Sequence, residues 1–229
     1  MCGRYVIEDY QELSERLIQV PLRYDFDFRP TWNAAPTQTL PVVVEDDDAW
    51  VLTGMHWGLV PKWTKPGQRP KVMPINARAE TAPEKPMFKS LMKYRRCIVP
   101  ANGFYEWKNL GSGGKQPYYI HPKQHDLFLF AGLWDEAPAG PAGEPIRSFT
   151  ILTTGANEAM ASLHDRMPLV LEDEVIPDWL DRDETEIEPI EQLLTATVDE
   201  EIEMHPVSRE VNSPKNNAPE LIEPIDEPV

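Results

Sequence analysis

Short apolar or alternating segments, separated by turn residues, recur along the whole chain. This pattern is typical of strands that have at least one buried face. It predicts strands at residues 5–7, 40–45, 50–57, 97–100, 103–107, 117–121, 126–134, 148–154 and 203–208. Residues 40–45 and 50–57 flank the acidic turn Asp46-Asp47-Asp48, which predicts a hairpin.

Apolar residues with helical spacing occur only over short stretches. Residues 8–20 place Tyr10, Leu13, Leu17 and Ile18 on one side of a predicted amphipathic helix that Pro21 ends. Further short helices are predicted at residues 158–163, 173–180 and 187–194, the last two acidic and on the outside. The chain has 24 prolines spread along its length, and proline breaks helix interiors, so a long helical bundle is excluded.

The length of 229 residues suits one good core, and we expect one domain over residues 1–229. Residues 110–116 and 137–145 are predicted loops, and the segment from Val211 is predicted to wrap the surface, ending in an extended tail of about ten residues. No apolar run approaches the length of a membrane span. Two cysteines without close spacing exclude a disulfide framework and a C-x-x-C zinc site, and fit a reducing compartment. We expect no metal and no cofactor.

Charge is distributed unevenly along the chain. The formal net charge is −16, yet residues 62–96 hold ten Lys or Arg and two Glu, a local charge of +8. Residues 172–203 hold 14 acidic residues and one basic residue, a local charge of −13. A local basic face binds phosphate even on an acidic protein, so nucleic acid is not excluded as a partner. The alternative is an ordinary solvated surface.

The chain begins Met1-Cys2-Gly3-Arg4. Removal of an initiator methionine requires a small second residue, and cysteine is small. A chain that starts at Cys2 carries an amine and a thiol on adjacent carbons, with ordinary pKa values of roughly 8 and 8.5. An aldehyde condenses with this amine, and the thiol then closes onto the imine to give a thiazolidine. Cys2 is therefore a candidate nucleophile, the alternative being an unimportant disordered terminus.

Two tryptophans and a proline lie near a turn after the strand 50–57. Trp57 is predicted to be buried, whereas Trp63, between Lys62 and Lys65, is predicted to be exposed. Nucleic acid bases stack on exposed aromatic side chains, for about 1–3 kcal/mol each.

Three later segments carry candidate acid–base and binding groups. Asn76 and Arg78 share a face if they lie in a strand, where the amide orients a hydroxyl or carbonyl and the guanidinium holds a phosphate. Glu106 alternates with aromatic residues, which favours a paired carboxylate or one with a raised pKa, although an exposed strand glutamate is the alternative. His164, beside Asp165, is a candidate acid or base, although a lone histidine is more often a surface residue.

Seven motifs together closely resemble the SOS response-associated peptidase family, whose members shield abasic sites in single-stranded DNA. The motifs are Met1-Cys2-Gly3-Arg4, Asn33-x-Ala35-Pro36, Trp57-Gly58-Leu59-Val60-Pro61, Ile75-Asn76-Ala77-Arg78-x-Glu80-Thr81, Gly103-Phe104-Tyr105-Glu106-Trp107, His164-Asp165-Arg166-Met167-Pro168 and His205-Pro206-Val207-Ser208. The resemblance runs from residue 2 to about residue 218.

The resemblance implies an α+β fold with a curved, barrel-like, mainly antiparallel sheet and short peripheral helices. It implies that Cys2, after self-removal of Met1, forms a thiazolidine cross-link with the ring-opened sugar of an abasic site. The activity would be that of an autoproteolytic, peptidase-like protein with possible lyase action. The implied setting is a monomer in the bacterial cytoplasm, at damaged nucleoid DNA.

The same resemblance assigns residues to roles. The positions that match the family's active site are Cys2, Asn76, Glu106 and His164. Those that match positions near the DNA or the site are Arg4, Asn33, Arg78 and Arg166. Pro61 and Trp63 fall where the family separates strands at a junction of single- and double-stranded DNA.

Two other functions remain open from the residues themselves. One is a thiol peptidase that acts on other proteins, with Cys2 as nucleophile and His164 as base. The other is a non-catalytic module that binds single-stranded nucleic acid through the basic and aromatic middle of the chain. A zinc deaminase is disfavoured because no cysteine pair has the required spacing.

Overall fold

The computed structural model describes residues 2–9, 11–17, 20–47, 49–68, 70–138, 144–195 and 202–225. The strands are β1 (Tyr5–Ile7), β2 (Leu22–Tyr24), β3 (Thr31–Ala34), β4 (Thr39–Asp46), β5 (Ala49–Trp57), β6 (Asn76–Arg78), β7 (Arg96–Ala101), β8 (Gly103–Asn109), β9 (Lys115–Pro122), β10 (Phe128–Ala137), β11 (Ile146–Gly155), β12 (Arg166–Pro168) and β13 (Ile202–Pro206). The helices are α1 (Gln11–Arg16), α2 (Lys89–Tyr94), α3 (Ile176–Leu180) and α4 (Ile187–Thr195). Short 3-10 helices occupy Gly111–Gly113, Met160–Ser162, Asp173–Val175, Arg209–Asn212 and Pro219–Ile222.

The larger sheet closes on itself. The antiparallel pairs β5–β4, β4–β7, β7–β10 and β10–β11 form one run of strands. The first part of β11 then pairs in parallel with the end of β5, with Ser148 opposite His56 and Phe149 opposite Trp57. This last pairing makes a ring of five strands, which removes free edges from the barrel. The predicted curved, barrel-like sheet is confirmed.

Three short strands extend the barrel at its sides. β2 pairs in parallel with β5, and β6 pairs in parallel with β11, which places Asn76 opposite Ile151. β12 pairs antiparallel with the end of β11, which places Arg166 opposite Gly155. The end of β11 is therefore flanked by the segments that carry Asn76 and His164.

The smaller sheet is antiparallel throughout, in the order β13-β9-β8-β1-β3. Tyr5 of β1 lies opposite Phe104 of β8, and the Tyr105 N–H donates to the Arg4 carbonyl at 3.0 Å. Because these strands run antiparallel, the residues before Tyr5 run alongside those after Phe104. The start of the described chain therefore lies beside Glu106.

A continuous apolar core fills the barrel. Trp57 is fully buried, packs edge-on against Tyr5 at 5.1 Å between ring centroids and stacks on Phe149 at 6.3 Å. Cys97 is also fully buried, and burial raises the pKa of its thiol. The prediction that Trp57 belongs to the core is confirmed, as is the hairpin of β4 and β5.

The predicted helices are shorter in the structure than the patterns indicated. The helix expected over residues 8–20 covers only Gln11–Arg16, in part because the Glu8 N–H donates to the Asn102 side chain at 2.7 Å. Leu13 and Leu17 are buried as predicted, whereas Tyr10 and Ile18 lie outside the described residues.

Two further predicted helices also differ, and one agrees. The segment 158–163 forms only the 3-10 turn Met160–Ser162, although Asn157 caps it by accepting the Met160 N–H at 3.0 Å. The segment 173–180 splits into a 3-10 turn and α3, since Pro177 cannot donate an N–H to the first turn. α4 matches its prediction to within one residue.

The segment after β13 is packed rather than loose. Val211 and Leu221 are buried against the smaller sheet, and Val207 forms a β-bridge with Pro224. The predicted wrapping of this segment around the surface is confirmed over residues 211–225. Within the described ranges, no helix is long and apolar enough to cross a membrane.

Replacing Gly103 with alanine is expected to destabilise the protein. A Cβ atom there would lie 2.4 Å from the Tyr119 ring and 2.6 Å from the Ile120 carbonyl oxygen on the neighbouring strand. Because backbone cannot move aside cheaply, we expect the free energy of unfolding to fall by about 3 kcal/mol, near the top of the usual overpacking range. Chemical denaturation measures this change.

The matched control for that substitution is Gly155→Ala. No heavy atom lies within 4 Å of the Cβ position at Gly155, so this variant should unfold at nearly the wild-type denaturant concentration. Equal midpoints for the two variants would contradict the argument.

Candidate active site

Cys2 is buried at the start of the described chain. Its side chain has no exposed surface, and its Sγ lies 3.7 Å from the Arg4 carbonyl oxygen. The Cys2 carbonyl accepts a hydrogen bond from Asn76 Nδ2 at 2.7 Å. The alternative of a disordered terminus is therefore wrong for Cys2. Removal of Met1 concerns a residue outside the described part of the chain.

The Cys2 thiol is held in its neutral form. Burial away from water raises its pKa, and the negative charge of Glu106 raises it further. A thiol of this kind is a poor free nucleophile at neutral pH, since the thiolate is the reactive form. Reaction at Cys2 therefore requires a nearby base to take the proton.

Asn76 begins β6 and is held there by the parallel pairing of β6 with β11. Its Nδ2 binds the Cys2 carbonyl, while its Oδ1 is buried without a hydrogen-bond partner among the described residues. A buried acceptor without a partner costs free energy. Asn76 Oδ1 is thus available to a donor that enters the site, such as an amine or a sugar hydroxyl.

Glu106 lies in the middle of β8 and is 5% exposed. The alternative of an exposed strand glutamate is therefore wrong. Because Tyr105 is paired with Arg4, Glu106 lies alongside the residues that precede Arg4, and its negative charge raises the pKa of the Cys2 thiol. A buried carboxylate beside a neutral thiol is suited to accept and return protons.

His164 lies between the 3-10 turn Met160–Ser162 and β12, and its side chain is 30% exposed. The Arg166 backbone N–H donates to His164 Nδ1 at 2.9 Å, which puts the proton of the neutral ring on Nε2. The exposed Asp165 carboxylate lies 2.9 Å from the same Nδ1 and pairs with the ring when it is protonated. His164 is therefore oriented by its backbone neighbours.

Glu106 and His164 line one open cavity of about 660 Å³. The remaining lining residues are Trp107, Lys115, Arg209 and Asn212. Trp107 Nε1 donates to Asn212 Oδ1 at 2.7 Å, so the indole is fixed at this wall. Sequence reasoning missed Lys115, Arg209 and Asn212, because they come from a loop edge and the C-terminal segment, where no local pattern indicates the site.

Arg4 and Asn33 connect the start of the chain to the C-terminal segment. Arg4 Nη1 donates to Asn33 Oδ1 at 2.7 Å and to the Val211 carbonyl at 2.8 Å. Asn33 is 1% exposed, and its Nδ2 binds the carbonyls of Val211, Ser213 and Asn216. Both side chains therefore tie the start of the chain to the C-terminal segment through bonds inside the protein.

Arg166 is engaged in an ion pair rather than free. Its Nη1 and Nη2 donate to the two carboxylate oxygens of Glu80 at 2.7 and 2.9 Å. Nη2 also donates to the carbonyl and hydroxyl of Thr153 on β11. The contact with Arg166 lowers the pKa of Glu80. Glu80 was part of a recognised motif, but its partner becomes evident only in three dimensions.

Arg78, Pro61 and Trp63 occupy three different environments. Arg78 is exposed at the end of β6, two residues from Asn76. Pro61 is buried, and its carbonyl accepts the Thr64 N–H at 2.8 Å in a tight turn. That turn presents Trp63, which is 56% exposed, as the sequence predicted. An exposed indole held by a buried turn is a suitable stacking surface.

Not every cation of the basic segment, residues 62–96, is exposed to solvent. Arg96 is 5% exposed and donates to main-chain carbonyls that include those of Trp179, Met92 and Lys93. It therefore fastens α2 and α3 to the barrel. Exposed cations of the same segment, such as Lys62 and Arg78, are free to face a polyanion.

Several known proteins are similar to this chain over most of its length. The chain is 40% identical over 224 residues to the abasic site processing protein YoqW of Bacillus subtilis (strain 168), covering 97% of this chain and 99% of that protein. It is 33% identical over 230 residues to YedK of Escherichia coli (strain K12), covering 98% and 100%, and 37% identical over 231 residues to HMCES of Gallus gallus, covering 87% and 67%.

Similarity to solved structures and to a family profile extends over most of the chain. A crystal structure of a protein from Bacteroides thetaiotaomicron matches with a TM-score of 0.81 at 25% identity, covering 98% of this chain and 100% of that one. The profile described as SOS response associated peptidase (SRAP) matches residues 1–214. On this evidence, the chain belongs to the SOS response associated peptidase family.

Proposed function

We propose that this protein captures abasic sites in single-stranded DNA through a covalent bond to Cys2. The observation that carries the proposal is the burial of Cys2, bonded to Asn76, alongside the strand whose Glu106 shares a cavity with His164. The relatives YoqW, YedK and HMCES all carry the name abasic site processing protein.

The reaction begins with hydrolysis of the Met1–Cys2 peptide bond, which consumes one water and frees the Cys2 amine. His164 then moves the proton that opens the sugar hemiacetal to an aldehyde. The amine nitrogen attacks the aldehyde carbon to give a carbinolamine, and Glu106 takes the proton that the nitrogen loses.

The remaining steps release water and close the ring. Glu106 passes this proton to the former aldehyde oxygen, which becomes the carbinolamine hydroxyl. It then carries the second nitrogen proton to that hydroxyl, which leaves as water and gives the imine. The Cys2 sulfur then bonds to the imine carbon, and the thiol proton moves to the nitrogen by way of Glu106. In the overall reaction, one aldehyde and one aminothiol give one thiazolidine and one water, and no atom changes its oxidation state. Asn76 Oδ1 accepts a hydrogen bond from the amine or the sugar and holds the reacting atoms together.

The DNA would approach along the exposed cations near the site. Arg78 would bind a phosphate flanking the abasic residue, and the exposed Trp63 would stack on a base at a junction of single- and double-stranded DNA. Such phosphate contacts make binding weaken steeply with salt. The side chains of Arg4, Asn33 and Arg166 are bonded to protein groups, so they would hold the site in shape rather than bind DNA.

Intact mass spectrometry tests the proposal directly. The protein is incubated with a single-stranded oligonucleotide that contains one abasic site, and then denatured. We expect a species equal to protein minus methionine plus oligonucleotide minus one water. An adduct of the same yield on protein that retains Met1, or no adduct with protein that has lost it, would refute the proposal. Turnover of an unrelated peptide without DNA would instead support a peptidase acting on other proteins.

A further inference from the structure

The Glu80–Arg166 ion pair links two segments that carry the candidate active site. Glu80 comes two residues after β6, the strand that begins with Asn76, and Arg166 begins β12, two residues after His164. Two parallel N–H···O bonds make the pair bidentate, a geometry that fixes both side chains more firmly than a single contact. The Arg166 side chain is 13% exposed and that of Glu80 is 49% exposed.

The backbone of Arg166 orients the His164 ring. Its N–H donates to His164 Nδ1, which favours the tautomer with the proton on Nε2. A shift of the Arg166 backbone would release the ring to rotate or to change tautomer. The position of this N–H group, together with the Asp165 carboxylate at the same Nδ1, therefore decides which nitrogen of His164 can exchange a proton with a substrate.

β12 by itself holds the Arg166 backbone, and so its hydrogen bond to His164, only weakly in place. It has three residues, and in the described part of the chain its ladder is with β11 alone. Short strands at a sheet edge open locally more readily than central ones. The Arg166 side chain compensates by reaching across the end of β11, where it binds Thr153, to the segment after β6, where it binds Glu80.

We propose that Glu80 is a positioning residue for His164, which it orients by clamping Arg166 and thereby fixing the start of β12. This inference rests on the proposed function only for its kinetic readout, since the ring's tautomer is measurable without DNA. Arg166 keeps Glu80 ionised at neutral pH by lowering its pKa, so the clamp is lost only as the pH falls below the ordinary carboxyl range.

The same contacts also fit a different role for Glu80, and that role predicts a different effect on DNA binding. If Glu80 merely occupied an arginine that otherwise binds phosphate, removing its charge would free Arg166 and tighten DNA binding. If Glu80 positions His164, removing its charge leaves reversible binding unchanged and slows the chemistry.

The test compares Glu80→Gln with Glu84→Gln. The first keeps the side-chain size and removes the charge from the clamp. The second makes the same change in charge four residues later, at an exposed glutamate of the same turn region. We expect Glu80→Gln to cross-link about tenfold more slowly, within the loss of up to about 100-fold that small misplacements cause. Glu84→Gln should cross-link at the wild-type rate, and Glu80→Asp should recover part of the loss.

Two further measurements separate positioning from binding and from unfolding. Reversible affinity for abasic-site DNA, measured with Cys2→Ala added to each variant, should be the same with and without Glu80→Gln. The ¹⁵N signals of the His164 ring should indicate an Nε2–H tautomer in the wild type and a mixture in Glu80→Gln, at unchanged global stability. A wild-type rate with an unchanged ring spectrum, or tighter DNA binding, would overturn the inference. If wild-type protein forms no cross-link, the proposed function fails, whereas the ring spectra still decide the role of Glu80.

Discussion

Cys2→Ala is expected to abolish the denaturation-stable adduct with abasic-site DNA. Alanine is also small, so the general processing that removes an initiator methionine before a small residue still acts even where self-removal needs the thiol. The chain then still begins with a free amine. That amine still forms an imine with the aldehyde, but no sulfur is present to close the ring. The imine hydrolyses on denaturation, whereas borohydride reduces it to a stable amine. We therefore expect an adduct from this variant only after reduction, and from the wild type without reduction.

Cys97→Ala is the matched control, because Cys97 is the other buried free cysteine. This variant loses a sulfur from the barrel core but leaves the candidate site intact, so it should give the wild-type yield of adduct. Gel mobility under denaturing conditions measures both variants. A reduction-independent adduct from Cys2→Ala would show that the thiol plays no part in the linkage.

Glu106→Gln is expected to slow cross-linking by about 10²–10⁴-fold, the usual contribution of a positioned general acid–base group. Glutamine fills the same buried space on β8 but can neither accept the proton from the amine nor return it to the leaving hydroxyl. Single-turnover kinetics with excess protein measure the loss. Glu203→Gln, an exposed glutamate on the same smaller sheet, should react at the wild-type rate.

The same variant separates proton transfer from simple electrostatics. The negative charge of Glu106 raises the pKa of Cys2, although burial is the larger cause. Removing this charge lowers the Cys2 pKa, so the alkylation of Cys2 should shift to lower pH while the pKa stays above its ordinary value. If Glu106 acted only through its charge, Glu106→Gln would make the thiol more reactive and cross-linking faster. A rate equal to or above that of the wild type would therefore contradict the assigned role.

Local motifs identified several residues of the candidate site but not the groups that these residues bind. Cys2, Asn76 and Glu106 were identified from local residue types and the resemblance, and the structure brings them together. Arg4 and Arg166 match family positions near the DNA or the site, and their guanidinium groups bind protein carbonyls and Glu80. A motif records which residues recur, but the partner of a charged side chain lies elsewhere in the chain. Asn212 and Arg209 could not be found locally for the same reason.

The sequence by itself determined the local elements and the chemical groups. The hairpin of β4 and β5, the alternation along β8, the buried Trp57 and the exposed Trp63 follow from residue pattern, because these depend on neighbours close in the chain. Only the tertiary structure decided which groups meet. The parallel pairing of β11 with β5 closes the barrel, and its parallel pairing with β6 sets Asn76 against Cys2. The antiparallel pairing of β11 with β12 brings His164 to the cavity of Glu106. Such contacts join residues far apart in sequence, and their free energy depends on packing that no local pattern encodes.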